Sequence, residues 1–578
     1  MKKVVILITN ALLIAFVGIT IQAQSKVAYN DLHRPQIHFS PKANWMNDPN
    51  GLVYHKGAYH MFFQYYPDST VWGPMHWGHA ISNDLVHWSE QPIALYPDSL
   101  GYIFSGSAVV DHNNTSGFGK EDNAPLVAIF TYHNPVLSQQ NKDAQYQGLA
   151  YSLDDGHTWT KYENNPVLNN PGITDFRDPK VMWYPPENKW IMTLATKDQV
   201  TFYSSPNLKE WKKESEFGEK LGAHGGVWEC PDLIPFETDG KKIWVLFVSI
   251  NPGGLNGGSA TQYFVGDFDG KTFTSYSNET KWIDYGTDNY AGVTWSNTDD
   301  RKIFLGWMSN WQYANKVPTK AWRSAMTIPR ELKLKKVDNN YLVSSMPVKE
   351  LDKLKKDVVS LKNIKINGQY DLSQKVKGLS GQYRIHLTAD QAESFSIVLS
   401  NELSEELIVG YSKEEKEYFI DRTKSGKIDF ENGFARRYAG RRLSKNNKLD
   451  ITLIVDAASV ELFADDGLTV MTGIFFPNKA YNKAIIKSPN SFIINELVYA
   501  EMKSIWQNQS ASSQQKQLGI FEGHGDIGAG VKPGSAKYDS KTRQYELSGA
   551  GNNIWGNHDE FHFMWKRMKG DFILYTRG

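Results

Sequence analysis

At 578 residues the chain is too long for one ordinary domain, and its many aromatic residues (18 Trp, 29 Tyr, 28 Phe) and 46 Gly favour strands and turns over helices. Lys plus Arg and Asp plus Glu both number 63, so the charge gives no support to a nucleic acid or an anionic membrane as partner. Because Cys230 is the only cysteine, an intrachain disulfide and a multi-cysteine metal site are excluded.

The amino terminus has the organisation of a secretory signal peptide. A basic start at 1–3 precedes an apolar run from Val4 to Ile21, and the small residue Ala23 follows closely. This order predicts a signal peptide over residues 1–24. A membrane anchor is the alternative, because the run is close to spanning length. We expect an exported protein, periplasmic or extracellular, with no membrane segment in the mature chain.

Residues 34–340 predict a five-bladed β-propeller. Four segments each combine a strand, a polar turn and an aromatic residue that opens the next strand, and these aromatics are Trp88, Trp159, Trp211 and Phe273. Their spacings of 71, 52 and 62 residues leave room for about four strands in each repeat, as propeller blades have. Four such units and one irregular closing unit give five blades. We expect the aromatics to pack between blades.

Two further regions follow the predicted propeller. From 345 to 505, short strands with alternating apolar residues, such as 449–456 and 459–463, predict a β-sandwich. A Gln- and Ser-rich stretch predicts a linker over 506–517, and 518–578 predicts a β-rich segment, part of a further sandwich. The predicted fold is therefore all-β: a five-bladed propeller, then a sandwich, with a partial β-rich C-terminal extension.

Three acidic residues, Asp48, Asp178 and Glu229, occur at blade-like intervals together with Ser105. Loops and inner strands of a propeller converge at one end of its axis, so these residues can meet there. Asp48 lies in an Asn- and Gly-rich turn, and without partners it would be predicted only to cap the backbone of that turn. Two carboxylates are, however, the minimum for glycoside hydrolysis, one ionised and one protonated. The pattern therefore predicts a carboxylate site on the axis.

The sequence neighbours of these acids predict which of them are ionised and which is protonated. Apolar Trp228 and Pro231 lie close to Glu229 and would keep it protonated near neutral pH. Asp48, in a turn with backbone N–H groups nearby, would remain ionised. Arg177 directly precedes Asp178 and would hold that carboxylate ionised as well.

These residues and their order resemble glycoside hydrolase family 32, whose members include invertases, inulinases and levanases. The resemblance rests on WMNDPNG over 45–51, FRDP over 176–179 and WECP over 228–231, and it extends from about residue 34 to 505. Each motif alone is only moderately specific, but chance does not place all of them in this order and spacing. The resemblance implies an enzyme that needs no metal and no cofactor.

The resemblance also implies a role for each matching residue. Asp48 would be the nucleophile, Glu229 the acid/base, and Asp178 the stabiliser of the transition state. Eight residues would line the subsite for a terminal fructose: Asn47, Gln64, Trp72, Phe104, Ser105, Arg177, Tyr290 and Trp311. Trp307 is the alternative to Trp311. For Trp72, Phe104 and Trp311, packing in the core is the alternative role.

The implied reaction is a retaining double displacement. Asp48 would attack the anomeric carbon while Glu229 protonates the leaving oxygen, and Glu229 would then activate water against a covalent fructosyl-enzyme. The two carboxyl groups would lie about 5–5.5 Å apart. Segments 288–295 and 309–314 look more like exo-acting fructan hydrolases, which implies release of fructose from the ends of levan or inulin, with sucrose as a side substrate.

Several alternatives stay open. An invertase-like enzyme, an endo-levanase or a transferase would use the same fold. An inverting five-bladed glycosidase would need carboxyl groups about 6.5–9.5 Å apart, and a non-catalytic fructan-binding protein would turn over nothing. The expected partner is thus a fructan or sucrose, and no nucleic acid. The sequence does not indicate an oligomeric state.

Overall fold

The computed structural model describes residues 29–506 apart from 121, 122, 141, 377 and 380, together with short pieces between 518 and 566. The predicted signal peptide over 1–24 and nearly all of the predicted linker lie outside the described residues. Among the described residues, the helices are α1 (Pro135–Gln139) and the 3-10 turns Pro185–Glu187, Ala314–Lys316 and Lys349–Leu354. None of these is long and apolar enough to cross a membrane.

Five antiparallel sheets follow one another along the chain and form the blades of a propeller, as predicted. Blade 1 holds β1 (Asn44–His55), β2 (Ala58–Tyr66), β3 (His76–Ser82) and β4 (Ser89–Leu95). Blade 2 holds β5 (Tyr102–Val110), β6 (Leu126–His133), β7 (Gln145–Ser152) and β8 (Thr160–Lys161). Blade 3 holds β9 (Phe176–Tyr184), β10 (Lys189–Thr196), β11 (Gln199–Ser205) and β12 (Lys212–Phe217). Blade 4 holds β13 (Val227–Thr238), β14 (Lys241–Asn251), β15 (Ala260–Phe268), β16 (Phe273–Ser275) and β17 (Lys281–Trp282).

Blade 5 closes the ring and is less regular than the other four. The strands in this part of the chain are β18 (Tyr290–Thr294), β19 (Lys302–Met308), β20 (Trp322–Arg323), β21 (Ala325–Met326), β22 (Arg330–Val337) and β23 (Asn340–Pro347). All belong to blade 5 except β20, which pairs in parallel with β1 of blade 1. The propeller extends past the boundary predicted at residue 340, because β23 is hydrogen bonded to β22 along its whole length.

The repeated aromatic residues occupy the positions predicted for them. Each follows a polar turn between the third and fourth strands of a blade, where a side chain such as Asp84 accepts hydrogen bonds from backbone N–H groups. Trp159 of blade 2 packs edge-on against Phe62 of blade 1, with ring centroids 5.3 Å apart. Phe273 of blade 4 packs in the same way against Phe217 of blade 3, at 5.0 Å. These aromatics therefore join neighbouring blades, as predicted.

The second domain is a β-sandwich whose two layers share their longest strands. It comprises β24 (Lys355–Asp371), β25 (Tyr383–Ala389), β26 (Phe395–Ser400), β27 (Glu406–Ser412), β28 (Glu417–Lys424), β29 (Arg437–Arg441), β30 (Leu449–Asp456), β31 (Ser459–Ala464), β32 (Thr469–Ile474) and β33 (Lys483–Met502). The first residues of β33 pair with β26 in one layer and its last residues with β25 in the other. Alternate apolar residues, such as Ile385, Leu387, Ile397 and Leu399, fill the space between the layers.

The described pieces of the C-terminal region are also strands. β34 (Gly523–Ile527) pairs with β37 (Phe561–Trp565), and β35 (Ser535–Asp539) pairs with β36 (Gln544–Ser548). The β-rich character predicted for 518–578 is present in these pieces. That they form part of a further sandwich stays a prediction.

Buried ion pairs join the propeller to the sandwich. Arg422 of β28 donates to Asp288 at 2.8 Å, and the two side chains are only 1% and 0% exposed. Arg330 of β22 bridges Asp284, at 2.9 Å, and Glu461 of β31, at 2.5 Å. Because an unpaired charge is costly in the interior, each domain needs the other to neutralise the charges it buries.

Asp288→Ala should lower the free energy of unfolding by about 3–5 kcal/mol, because it leaves the Arg422 charge buried without its carboxylate. Glu279→Ala is the matched control. Glu279 also pairs across the two domains, with Arg441 at 2.5 Å, but the two side chains are 46% and 49% exposed, so its loss should cost about 0–1 kcal/mol. Urea unfolding followed by tryptophan fluorescence measures both changes. Equal losses in the two variants would contradict this account.

Candidate active site

The five inner strands bring the predicted site residues to one end of the propeller axis. Asp48 lies on β1, Ser105 on β5, Asp178 on β9, Glu229 on β13 and Tyr290 on β18, each near the beginning of its strand. Neighbouring inner strands contact one another around the ring, and β1 contacts β18 where the ring closes. Residues from all five blades therefore meet at a single place.

Each inner strand has a β-bulge close to the residue that it contributes to this meeting point. In every blade the inner strand advances three residues while its partner advances two, between Met46 and Pro49, Ile103 and Gly106, Arg177 and Lys180, Glu229 and Asp232, and Tyr290 and Val293. An extra residue in one strand re-aims the side chains beside it. Asp178 and Cys230 adopt φ values of 65° and 47° in these bulges, a strained conformation for residues other than glycine.

Asp48 is held by donors from two blades. Ser105 Oγ donates to its Oδ2 at 2.8 Å, and Asn47 Nδ2 donates to its Oδ1 at 3.1 Å. Burial and the negative charge of Glu229 raise the pKa of Asp48 to about 6, although the hydrogen bonds from Asn47 and Ser105 oppose that rise. Asp48 is therefore ionised at neutral pH, as predicted, but with a raised pKa.

Asp178 is almost fully buried, and its carboxylate accepts a hydrogen bond from the Cys230 backbone N–H at 3.0 Å. Burial raises its pKa to about 7; Arg177 lowers the pKa, while the charges of Glu229 and Asp48 raise it further. With a pKa of about 7 the carboxyl is only partly ionised near neutral pH, so the prediction that Arg177 keeps Asp178 ionised is met only in part. The effect of Arg177 has the predicted sign, but burial outweighs it.

Glu229 lies in a polar setting rather than the predicted apolar one. Arg177 donates to its Oε1 from Nε at 3.1 Å and from Nη2 at 3.0 Å, and the Tyr290 hydroxyl donates to its Oε2. Trp228 packs instead in the core of blade 4, where its Nε1 donates to the Ala223 carbonyl at 2.8 Å. Adjacent residues of a strand point to opposite faces, so neighbours in sequence do not surround Glu229 in space.

Arg177 is the cation shared by these acids. Besides Glu229, its guanidinium contacts the Asp175 carboxylate and Gln145 Oε1, the latter at 3.3 Å. Burial disfavours its charge, but Glu229, Asp178 and Asp175 together raise its pKa above the usual value. Arg177 thus remains a permanent positive charge between carboxylates from blades 3 and 4.

Two of the predicted sugar-binding residues also position their neighbours. Asn47 Oδ1 accepts a hydrogen bond from Trp45 Nε1 at 2.7 Å, which fixes the amide that faces Asp48. Gln64 is buried, and its Nε2 donates to the Ile103 carbonyl at 3.1 Å, linking blades 1 and 2.

The predicted aromatic residues differ in burial: Trp307 is buried, whereas Trp72, Trp311 and Phe104 are at least partly exposed. Trp307 is 0% exposed and donates to Ser324, so Trp311, which is partly exposed and stacks on Trp45 at 5.9 Å, is the better candidate for contact with a sugar. Trp72 is 40% exposed and meets Phe104 edge-on at 6.1 Å, which excludes a core role for Trp72. Phe104 is half-buried.

Several residues at this site carried no recognisable signal in the sequence. Gln145 accepts hydrogen bonds from Arg177 and, at 2.8 Å, from the Phe176 backbone. Thr131 Oγ1 accepts a hydrogen bond from the Asp178 backbone at 3.0 Å. Both lie in ordinary strands of blade 2. Among the described residues, no group of three or more His, Cys, Asp or Glu side chains is arranged to hold a metal ion.

Asp178→Asn should stabilise the folded protein at pH 8 by about 2–4 kcal/mol. In the wild type the folded-state pKa, about 7, lies above the ordinary value of 3.8. The stability that the protonated carboxyl contributes is therefore complete below pH 3.8 and is lost as the pH rises through 7. The advantage of the amide should shrink towards pH 4 in urea unfolding. The exposed control Asp429→Asn should change stability by no more than about 0.5 kcal/mol, and an Asp178→Asn effect independent of pH would refute the argument.

Comparison with known proteins agrees with this geometry over most of the chain. The profile of the glycosyl hydrolases family 32 N-terminal domain matches residues 38–345, and that of the family's C-terminal domain matches residues 350–500. The chain is 46% identical over 520 residues to the levanase of Bacillus subtilis (strain 168), covering 87% of this chain and 75% of that protein. It is 42% identical over 492 residues to the extracellular exo-inulinase of Aspergillus ficuum, covering 78% and 90%.

A solved structure has the same architecture. The crystal structure of exo-inulinase from Aspergillus awamori aligns with a TM-score of 0.77 at 38% identity, covering 83% of this chain and 100% of that chain. Membership of one family therefore explains the propeller, the sandwich and the order of the acidic motifs together. The chain belongs to glycoside hydrolase family 32, and it is a glycoside hydrolase.

Proposed function

We propose that this enzyme releases terminal β-fructosyl units from fructans, and fructose from sucrose, by a retaining double displacement. The observation that carries the proposal is the meeting of Asp48, Asp178 and Glu229 at the end of the propeller axis, where the charge of Glu229 acts on both aspartates. The names of the relatives support the substrate class, since one is a levanase and another an exo-inulinase.

Asp48 has the surroundings that a nucleophile needs. Its pKa of about 6 leaves it ionised at neutral pH, yet burial keeps it poorly solvated and therefore reactive. Ser105 and Asn47 each donate to a different carboxylate oxygen and hold its plane in place. Asp48 would attack the anomeric carbon and form the covalent fructosyl-enzyme.

Glu229 would be the acid/base. To protonate the leaving oxygen it must carry a proton, and in the unliganded site its carboxylate is instead paired with Arg177. Sugar hydroxyls that accept hydrogen bonds from Arg177 would draw the guanidinium away from Glu229. Tyr290 keeps the carboxyl group in place while this exchange occurs. Glu229 would then accept a proton from the water that hydrolyses the intermediate.

Asp178 would bind the sugar rather than react with it. Its carboxylate is fixed by the Cys230 backbone and lies near the negative charges of Asp48 and Glu229. A carboxylate that accepts hydrogen bonds from sugar hydroxyls stabilises the positive charge that develops on the ring in the transition state. Arg177 and Gln64 would contribute further hydrogen bonds to the same terminal sugar.

The exo-inulinase among the relatives supports action at chain ends. The acids lie where five strands converge, so a substrate would approach them along the axis of the propeller. Trp72 and Trp311 are partly exposed, and we propose that they cover the terminal sugar. An endo-acting levanase would need a cleft open at both sides, and it remains the alternative along with an invertase-like enzyme. The carboxyl separation of about 5–5.5 Å stays a prediction.

We also propose that the protein is exported. The predicted signal peptide over 1–24 supports export, and the similar exo-inulinase is described as extracellular. Whether the final location is the periplasm or the medium stays open.

Time courses with levan, inulin and sucrose test the substrate class. We expect fructose as the sole early product from both polymers, and fructose with glucose from sucrose. In dilute methanol, retention predicts methyl β-fructofuranoside as the transfer product. Early oligosaccharides would refute exo action, the α-anomer would refute retention, and no turnover of any of these substrates would refute the proposal as a whole.

Glu229→Gln should lower kcat by about 10²–10⁴-fold, because it removes the proton donor and base while preserving the size of the side chain. Glu216→Gln is the matched control, since Glu216 lies on the outer strand β12 of blade 3 and pairs with Lys213 in solvent. Fructose release from sucrose measures both rates, and calorimetric titration with fructose measures binding. Near-normal turnover in Glu229→Gln would remove Glu229 from its proposed role.

A further inference from the structure

A second set of polar side chains lies on the propeller axis just beyond the bulges. One comes from each inner strand: Asn50, Ser107, Lys180, Asp232 and Thr294. Their contacts cross between blades, as when Asn50 Oδ1 accepts from the Gly106 N–H at 3.2 Å and Ser107 Oγ donates to the Pro179 carbonyl at 2.9 Å. Because β9, β13 and β18 belong to separate sheets, no backbone ladder joins these three strands to one another.

Asp232 supplies a buried connection between these three strands, in addition to the contacts of Glu229 with Arg177 and Tyr290. It is 0% exposed, and its Oδ2 accepts from both the backbone N–H and the Oγ1 of Thr294, each at 2.7 Å. The Lys180 ammonium lies 3.3 Å from the same oxygen and also donates to the Thr294 carbonyl. One carboxylate oxygen of blade 4 therefore ties blade 3 and blade 5 together at the axis.

These contacts of Asp232 with Lys180 and Thr294 lie next to the site along the propeller axis. Lys180 follows the bulge of Asp178, Asp232 ends the bulge of Glu229, and Thr294 follows the bulge of Tyr290. At these bulges the strands lack regular pairing, so their spacing depends on side-chain contacts. A shift of β9 relative to β13 would change the 3.0 Å contact between Arg177 and Glu229.

We propose that Asp232 is a positioning residue for the reaction, which fixes β9, β13 and β18 relative to one another and thereby sets the arrangement of Asp178, Glu229 and Tyr290. The proposal rests on the roles given above to those residues. It differs from a merely structural role, in which loss of Asp232 would lower stability and leave turnover per folded molecule unchanged.

Two substitutions separate the hydrogen bonds of Asp232 from its charge. Oδ2 makes all the contacts, while the buried Oδ1 has no hydrogen-bond partner among the described residues. Asp232→Asn can therefore keep an acceptor oxygen in place and lose only the charge, which leaves the Lys180 ammonium uncompensated. Asp232→Ala loses both. Matched controls are Asp84→Asn and Asp84→Ala, since Asp84 also accepts from backbone N–H groups, at 3.1 and 2.9 Å, but in an outer turn of blade 1.

Turnover of sucrose, measured per folded molecule from pH 4 to 9, tests the proposal. Asp232→Ala should lose about 100-fold in kcat with a much smaller change in KM, because a misplacement of about 1 Å is enough for such a loss. Asp232→Asn should recover most of kcat, but the acidic limb of its pH profile should move down by about one unit, since an added positive charge favours ionised acids. Both Asp84 variants should match the wild type.

Crystal structures of the Asp232 variants give a readout that does not depend on turnover. We expect the contact between Arg177 and Glu229 to be displaced in Asp232→Ala and retained in Asp232→Asn. Unchanged kcat and pH profile in both folded variants, or an undisturbed contact in Asp232→Ala, would overturn the positioning role. If Asp232→Ala fails to fold, Lys180→Met takes its place, because it removes the link from β9 to the same carboxylate, and an undisturbed contact between Arg177 and Glu229 in that variant would overturn the role. Absence of turnover in the wild type would refute the proposed function instead, and the displaced contact would still decide this inference.

Discussion

Three carboxylates share one largely buried place at the centre of the propeller, and the cost of bringing their charges together governs the rest of the structure. Burial and mutual repulsion raise the pKa values of Asp48 and Asp178 to about 6 and about 7. Hydrogen bonds from Asn47 and Ser105 offset part of this effect at Asp48, and the Arg177 guanidinium offsets part of it at Asp178. The backbone bears a further cost, because Asp178 and Cys230 are held in strained conformations. Such a site persists only because five blades, their aromatic contacts and a second domain hold it together.

The overall fold could be predicted because its signals are local and repeated. In each of the first four blades, a polar turn and an aromatic residue stand between the third and fourth strands. The pattern is visible in a single sequence because it occurs four times. The predicted boundary at residue 340 falls at the first residue of β23, the last strand of blade 5, for a related reason. Asn340–Pro347 has a buried centre, Leu342–Ser345, between more exposed ends, and nothing within it reveals whether its partner is a blade or a sandwich layer. Register between distant strands is a property of the folded chain.

The acids of the site could be identified, but their charge states could not be read from their neighbours in sequence. Trp228 is adjacent to Glu229 and turns away from it, whereas Arg177, fifty-two positions away, contacts it directly. Gln145 and Thr131 were missed because they are ordinary strand residues whose importance comes only from the strand beside them. Asp232 lay next to a recognised motif, yet its contacts with Lys180 and Thr294 exist only after blades 3, 4 and 5 have come together.

The closing of the ring has a consequence for how the enzyme acquires its reactivity. The strand that carries Asp48 is the first of the propeller, but Ser296 N–H donates to the Leu52 carbonyl at 2.9 Å, and Asn44 and Trp45 pair with Trp322 and Arg323. Contacts between such distant residues form late, because the loop between them must first be closed. During synthesis Asp48 is made early, and its partners Asp178 and Glu229 are made only after further blades. The site is complete only when the two ends of the propeller have met, so reactivity depends on closure of the ring.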